Sequence, residues 1–112
     1  MRKYLEKIMI ISLEEVIKST KITEDNNGRK VFRDSYTTQE ILVNSDNIVS
    51  VRPVDRSFWM KLNESGNGSG FTGLEFCSVY LNKGGVNSTD IVVVGSPKEI
   101  MGKLNKKVLL NG

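Results

Sequence analysis

The sequence predicts an α+β domain: mainly antiparallel β-sheet, or a small barrel, of about five to six strands with a long N-terminal hairpin and one C-terminal helix. Three observations predict it. Asn27-Gly28 stands between two segments rich in β-branched and aromatic residues. A second pair of strand-like segments runs from Leu74 to Val94 around a glycine-containing turn at Asn82 to Asp90. Ser96-Pro97-Lys98-Glu99 then carries the start signal of a helix. With 112 residues the chain has the usual size of one domain and buries roughly two-thirds of its unfolded surface. Residues 1–112 therefore read as a single β-rich domain with its helix at 97–107.

The first element fits two periods. Leu5, Ile8, Met9, Leu13, Val16 and Ile17 have helical spacing, which makes a helix over 2–17 the fallback, whereas Met9, Ile11 and Leu13 also alternate as a strand does. The downstream segment favours the strand, because Val31, Phe32, Tyr36, Thr37, Thr38, Ile41, Leu42 and Val43 supply a β-rich partner. Folding the chain back at Asn27-Gly28 brings Thr23 towards Phe32 and Leu13 towards Leu42. A long bent hairpin results.

Asn44-Ser45-Asp46-Asn47 is a turn cluster, and Ile48 to Val54 reads as the next strand, ended near Pro53 because proline has no N–H for a ladder. Phe58 to Leu62 reads as a short strand. Glu64 to Gly73 holds four glycines and has the composition of a surface loop. Leu74 to Leu81 and Ile91 to Val94 are the strands of the second hairpin. In the last element Ser96 is the N-cap, Pro97 takes the first helical position and Glu99 completes a capping box. Ile100, Leu104 and Val108, with Met101 beside them, give that helix an apolar face to pack on the sheet.

Glu40 to Val51 (EILVNSDNIVSV), the run Ile91-Val92-Val93-Val94 and the segment Ser96-Pro97-Lys98-Glu99-Ile100 through Leu104 together resemble the small FlbD-like proteins of flagellar and swarming motility, and related short phage-encoded proteins. The resemblance covers roughly half the chain. It implies a compact sheet with one C-terminal helix, frequent self-association and no enzymatic activity. The long first hairpin, Ser19 to Tyr36, and the stretch Asp55 to Gly73 depart from that pattern, so fold is carried over and no functional residue is.

Composition bears directly on chemistry. The chain contains no histidine, which removes the commonest general base and the commonest metal ligand together. Hydrolytic triads built on histidine are excluded, and one cysteine with carboxylates makes an unusual zinc site. Asp46 or Asp55 with Glu40 or Glu75 around a magnesium ion is the weaker, carboxylate-only route. The expectation is a protein that is not an enzyme, with no cofactor and no metal site.

The lone Cys77 alternates with Val79 and Leu81 and reads as a packed core thiol. Domains of this size that are secreted commonly carry paired cysteines, so a cytoplasmic location is expected, the bacterial host cytoplasm if the chain is phage-encoded. Met1-Arg2-Lys3 resembles the start of a secretory signal, but Glu6 and Lys7 interrupt the apolar stretch. Apolar runs such as Ile8 to Ile11 are too short to span a bilayer, and no membrane partner is expected.

Two groups are candidates for binding. Arg52, Arg56, Phe58, Trp59 and Lys61 combine guanidinium groups, aromatic rings and an ammonium, which suits stacking on bases and pairing with phosphates. Gly66, Gly68 and Gly70 add backbone N–H groups that can approach an anion, although the lysine-plus-Ser/Thr ending of a phosphate-binding loop is missing. The alternative for this group is a core filled by Phe58 and Trp59 with solvated charges around it. Arg29, Lys30 and Arg33 ride the tip of the first hairpin near Glu24, Asp25 and Asp34, where the mixed signs favour a plain solvated tip, although a protruding hairpin is also a usual way to reach a neighbouring subunit.

Net charge is +3, a mild excess compatible with anionic partners without requiring them. The favoured reading is a non-enzymatic binding module that self-associates as a homo-oligomer, or holds another protein, through its β edges and hairpin. The alternative is a basic viral protein that binds nucleic acid or sequesters a nucleotide.

Overall fold

The computed structural model describes residues 9–65, 68–82 and 88–111, apart from the side chains of Ser69 and of residues 106–111. Strand β1 (Ile10–Glu24) folds back on β2 (Lys30–Asn44), and their antiparallel ladder runs unbroken from Ile10 opposite Asn44 to Glu24 opposite Lys30. The expected hairpin is present, and the strand reading displaces the helical fallback over residues 10–17. Residues 2–8 of that fallback lie outside the described residues.

The turn differs from a two-residue Asn-Gly turn. Asp25 accepts from the backbone N–H groups of Asn27 and Arg29, both at 2.9 Å, while its own N–H donates to the Arg29 carbonyl at 2.9 Å. Only Gly28 takes a positive φ, +79°, as the left-handed residue that follows a type I turn. The longer loop shifts the pairing by one residue, so Thr23 faces Val31 and Leu13 faces Ile41 instead of Phe32 and Leu42. A one-residue slip exchanges the faces of a strand. Val43 is accordingly buried, and Leu42 is 66% exposed.

The sheet is antiparallel throughout, with spatial order β2-β1-β5-β4-β3, where β3 is Ile48–Pro53, β4 is Phe76–Asn82 and β5 is Ser88–Val94. Residues 83–87, within the expected turn at Asn82 to Asp90, lie outside the described residues. A 3-10 turn at Ser45–Asn47 joins β2 to β3 although they lie at opposite edges of the sheet. Four flat strand spacings would span roughly 19 Å, further than the roughly 14 Å that four residues reach. The sheet must therefore curl at that end. Among the described residues it remains open, with β2 and β3 each paired on one side only, and the barrel alternative gives way to a curled sheet.

The pleat sorts the side chains into two layers. Ile11, Leu13, Val43, Cys77, Val79, Leu81 and Val93 pack with Ile100, and with the partly buried Leu104, of helix α2 (Pro97–Asn111). On the opposite face Tyr36 and Phe76 pack with Leu62 of helix α1 (Arg56–Glu64) and with Phe71. Among the described residues there are thus two helices, one on each face, where the sequence predicted one. Phe58 to Leu62 belongs to α1 and is not a strand, because Asp55 caps the helix by accepting from the Phe58 N–H at 3.1 Å and because Phe58 and Leu62 share a helical face.

Helix α2 begins as its sequence predicts. The Glu99 N–H donates to Ser96 Oγ at 3.1 Å and the Ser96 N–H donates to Glu99 Oε1 at 2.9 Å, a complete capping box. It runs to Asn111, beyond the expected end at 107. Lys103 is consequently mid-helix and not near its end, and its Nζ donates to the Ser12 carbonyl of β1 at 2.8 Å. That bond ties the helix to the hairpin. The stretch expected to be a loop contains a 3-10 turn at Gly68–Phe71, which delivers Phe71 to the aromatic layer.

Candidate functional site

Past Ile17 on β1 and before Asp34 on β2, the hairpin continues as a two-stranded arm whose side chains are exposed, apart from a half-buried Val31. Cross-strand polar contacts maintain its geometry: Thr20 Oγ1 donates to Asp34 at 2.7 Å, and the Ser19 and Ser35 hydroxyls lie 3.4 Å apart. On one face of the arm Ile22 sits directly opposite Phe32. They are 59% and 64% exposed, so among the described residues this arm presents an apolar pair largely to solvent. Arg29 lies in the turn, Lys30 opens β2 and Arg33 faces Lys21 across the ladder. All three cations are exposed.

The second candidate group divides by position. Phe58 and Trp59 are half-buried, with ring centroids 5.4 and 5.2 Å from Phe76, and Phe58 lies 6.0 Å from Tyr36. Those rings fill the layer between α1 and the sheet. Arg52, Arg56 and Lys61 are exposed around it, and Arg52 Nη2 lies 3.5 Å from Ser50 Oγ. Gly68 begins the 3-10 turn, Gly70 faces open space, and Gly66 lies outside the described residues.

The fold brings members of the two groups together in one place. A cleft of about 560 Å³ between the base of the arm and the end of α1 is lined by Phe32, Arg33 and Asp34 from β2 and by Lys61, Glu64 and Ser65. Its two cations face two carboxylates. The local charge therefore balances, which gives an anionic ligand little net attraction.

The carboxylates weighed for magnesium are spread over the fold. Glu40 on β2 accepts from the Ser12 hydroxyl at 2.6 Å, Asp46 lies in the 3-10 turn after β2, Asp55 caps α1 and Glu75 precedes β4. Among the described residues no three His, Cys, Asp or Glu side chains stand close enough to hold a metal ion. No helix among them is long and apolar enough to cross a membrane.

Among the described residues three ionisable groups are perturbed. Burial pushes the Cys77 thiol up to about 11, and nearby Glu99 adds to the effect, so the inward placement read from its strand parity carries a protonated, unreactive sulfur. Burial also raises the Tyr36 phenol, with Asp34 contributing. Asp55 is held below the usual carboxylate range, chiefly by the Ser57 hydroxyl at 2.7 Å and then by the Phe58 N–H.

A group whose native pKa is depressed adds stability above its ordinary value, here 3.8, and that stability is lost as the pH falls through the native value. Asp55→Asn is therefore expected to lower the urea midpoint at neutral pH and to converge with wild type in acid. Parallel unfolding curves that keep a constant gap down to low pH would contradict this.

Sequence reasoning named the cations of the hairpin and missed Ile22 and Phe32 as a pair. Their pairing depends on the one-residue register shift set at Asp25–Gly28, which an Asn-Gly signal alone does not contain. The chain was compared with protein-family models, with curated proteins and with solved structures, and none matches it.

Proposed function

We propose that this protein is a non-enzymatic interaction module that self-associates, with the hairpin arm as its contact device. The observation that carries the reading is the arm itself: paired strands extended beyond the core, with Ile22 and Phe32 more than half exposed upon it. A protrusion of this kind adds little to its own chain's core and gains burial only against another surface. Each face of the sheet proper packs against a helix, α1 on one side and α2 on the other, and the strand edges and the arm extend beyond that packing.

The FlbD-like resemblance implies frequent self-association in that family, and only its fold is carried over to this chain. The nucleotide-binding alternative has weaker support. Its aromatic platforms, Phe58 and Trp59, are engaged with Phe76, and Lys61 lies in a charge-balanced cleft.

Size-exclusion chromatography with light scattering tests the proposal. At tens of micromolar the expected mass exceeds the 12.5 kDa of one chain and falls on dilution. A mass that stays at one chain over that range overturns the reading.

A further inference from the structure

The two edges of the sheet are built differently. Strand β3 is six residues long, its register shifts between Ile48 and Ser50, and it ends in Pro53, three features that hinder pairing with another strand. Strand β2 is fifteen residues long and contains no proline, and its ladder to β1 has no bulge. One edge is blunted, and the other is a regular template.

From this contrast and from the residue pattern along β2, we infer that the free edge of β2 pairs antiparallel with β2 of a second copy. The pairing runs about a two-fold axis at Thr37 and makes one continuous ten-stranded sheet. The inference rests on the self-association proposed above and specifies its surface and register.

A two-fold normal to the sheet preserves its faces, so residues pair with others of the same parity. Centring the axis on Thr37 uses the whole strand, Lys30 to Asn44. Phe32 and Leu42, 64% and 66% exposed, lie five residues to either side of Thr37, so each Phe32 falls opposite Leu42 of the second copy. Val31 falls opposite Val43 on the other face. Ile22, which faces Phe32 across the hairpin, joins the same apolar contact.

The cost of this register is Asp34 opposite Glu40 of the second copy. Both carboxylates are held by hydroxyls of β1, Asp34 by Thr20 at 2.7 Å and Glu40 by Ser12 at 2.6 Å, which draws their charge away from the free edge. A register centred on Tyr36 would avoid that opposition but set Phe32 against Glu40, leaving both apolar side chains unmatched.

Size also fits. Fifteen residues at ~3.3 Å each make an edge roughly 50 Å long, and a strip about 10 Å high along it buries on the order of 500 Å² per copy. The total of about 1,000 Å² is near the lower bound for a specific interface, and it matches a dimer that dissociates on dilution.

Cysteine scanning tests the register on the whole protein. A residue on the axis meets its own copy at about 5 Å between Cα atoms, within disulfide reach. Thr37 is exposed, and the only native thiol, Cys77, is fully buried, so background reaction is low. Under mild oxidation Thr37→Cys is expected to convert mostly to a disulfide dimer, at least tenfold faster than Ser35→Cys or Gln39→Cys.

A second measurement avoids cysteine altogether. Phe32→Asp and Leu42→Lys should each weaken dimerisation at least tenfold, and the double variant should regain most of it. If wild type dimerises while Thr37→Cys is no faster than its neighbours and the double variant shows no rescue, this register is wrong and the broader proposal survives. A monomeric wild type removes both.

Discussion

Phe76→Ala is expected to destabilise the fold by about 3–5 kcal/mol, as removal of a buried phenylalanine commonly does. The ring is 3% exposed, and its centroid lies 5.4 Å from Phe58, 5.2 Å from Trp59 and 5.9 Å from Phe71. Those three contacts join β4 to α1 and to the 3-10 turn, so the truncation opens a void at the junction of three segments. Domains of this size are stable by about 5–15 kcal/mol in all, so much of the native population is at stake. Urea unfolding followed by Trp59 fluorescence measures the loss directly. Phe76→Leu should restore more than half of it, and a loss under about 1 kcal/mol for Phe76→Ala would mean that this layer is not a packed core.

How legible the fold was depended on whether a local signal stated the geometry by itself. Ser96-Pro97-Lys98-Glu99 did, because a capping box is complete within four residues and both of its hydrogen bonds form. Helix α1 was hidden for the opposite reason. Phe58 and Trp59 are common strand residues, and nine helical residues carry too little periodicity to outweigh them, although Asp55 followed by Phe58 and Leu62 at helical spacing was available as a signal. The functional candidates followed the same division. Exposed charges at Arg29, Lys30, Arg33, Arg52, Arg56 and Lys61 were readable from residue type. The exposure of Leu42 was not, since an added turn residue exchanges the faces of β2, nor was that of Phe32, which depends on how far the hairpin runs beyond the core.

The same dependence on register makes the arm separable from the fold. Deleting Lys21–Glu24 together with Lys30–Arg33 removes four facing pairs and keeps both the turn at Asp25–Arg29 and the parity of every remaining residue. Seven of the eight side chains are exposed and the eighth, Val31, is half-buried. The core should therefore hold, with a melting temperature within about 5 °C of wild type.

Association should not hold. The deletion removes Phe32 from both halves of the proposed contact, and burying a phenylalanine contributes about 1.5–3 kcal/mol in each half. The pair of losses weakens the dimer by about a hundredfold or more. Light scattering on the shortened chain would then read a single-chain mass at concentrations where wild type is larger. Unchanged association would show that the copies meet through another surface, and a shortened chain that fails to fold would show that the arm belongs to the core. The point variant Phe32→Asp, which leaves the hairpin at full length and changes a side chain that is 64% exposed, separates those outcomes, because it disturbs the contact while keeping every strand pair.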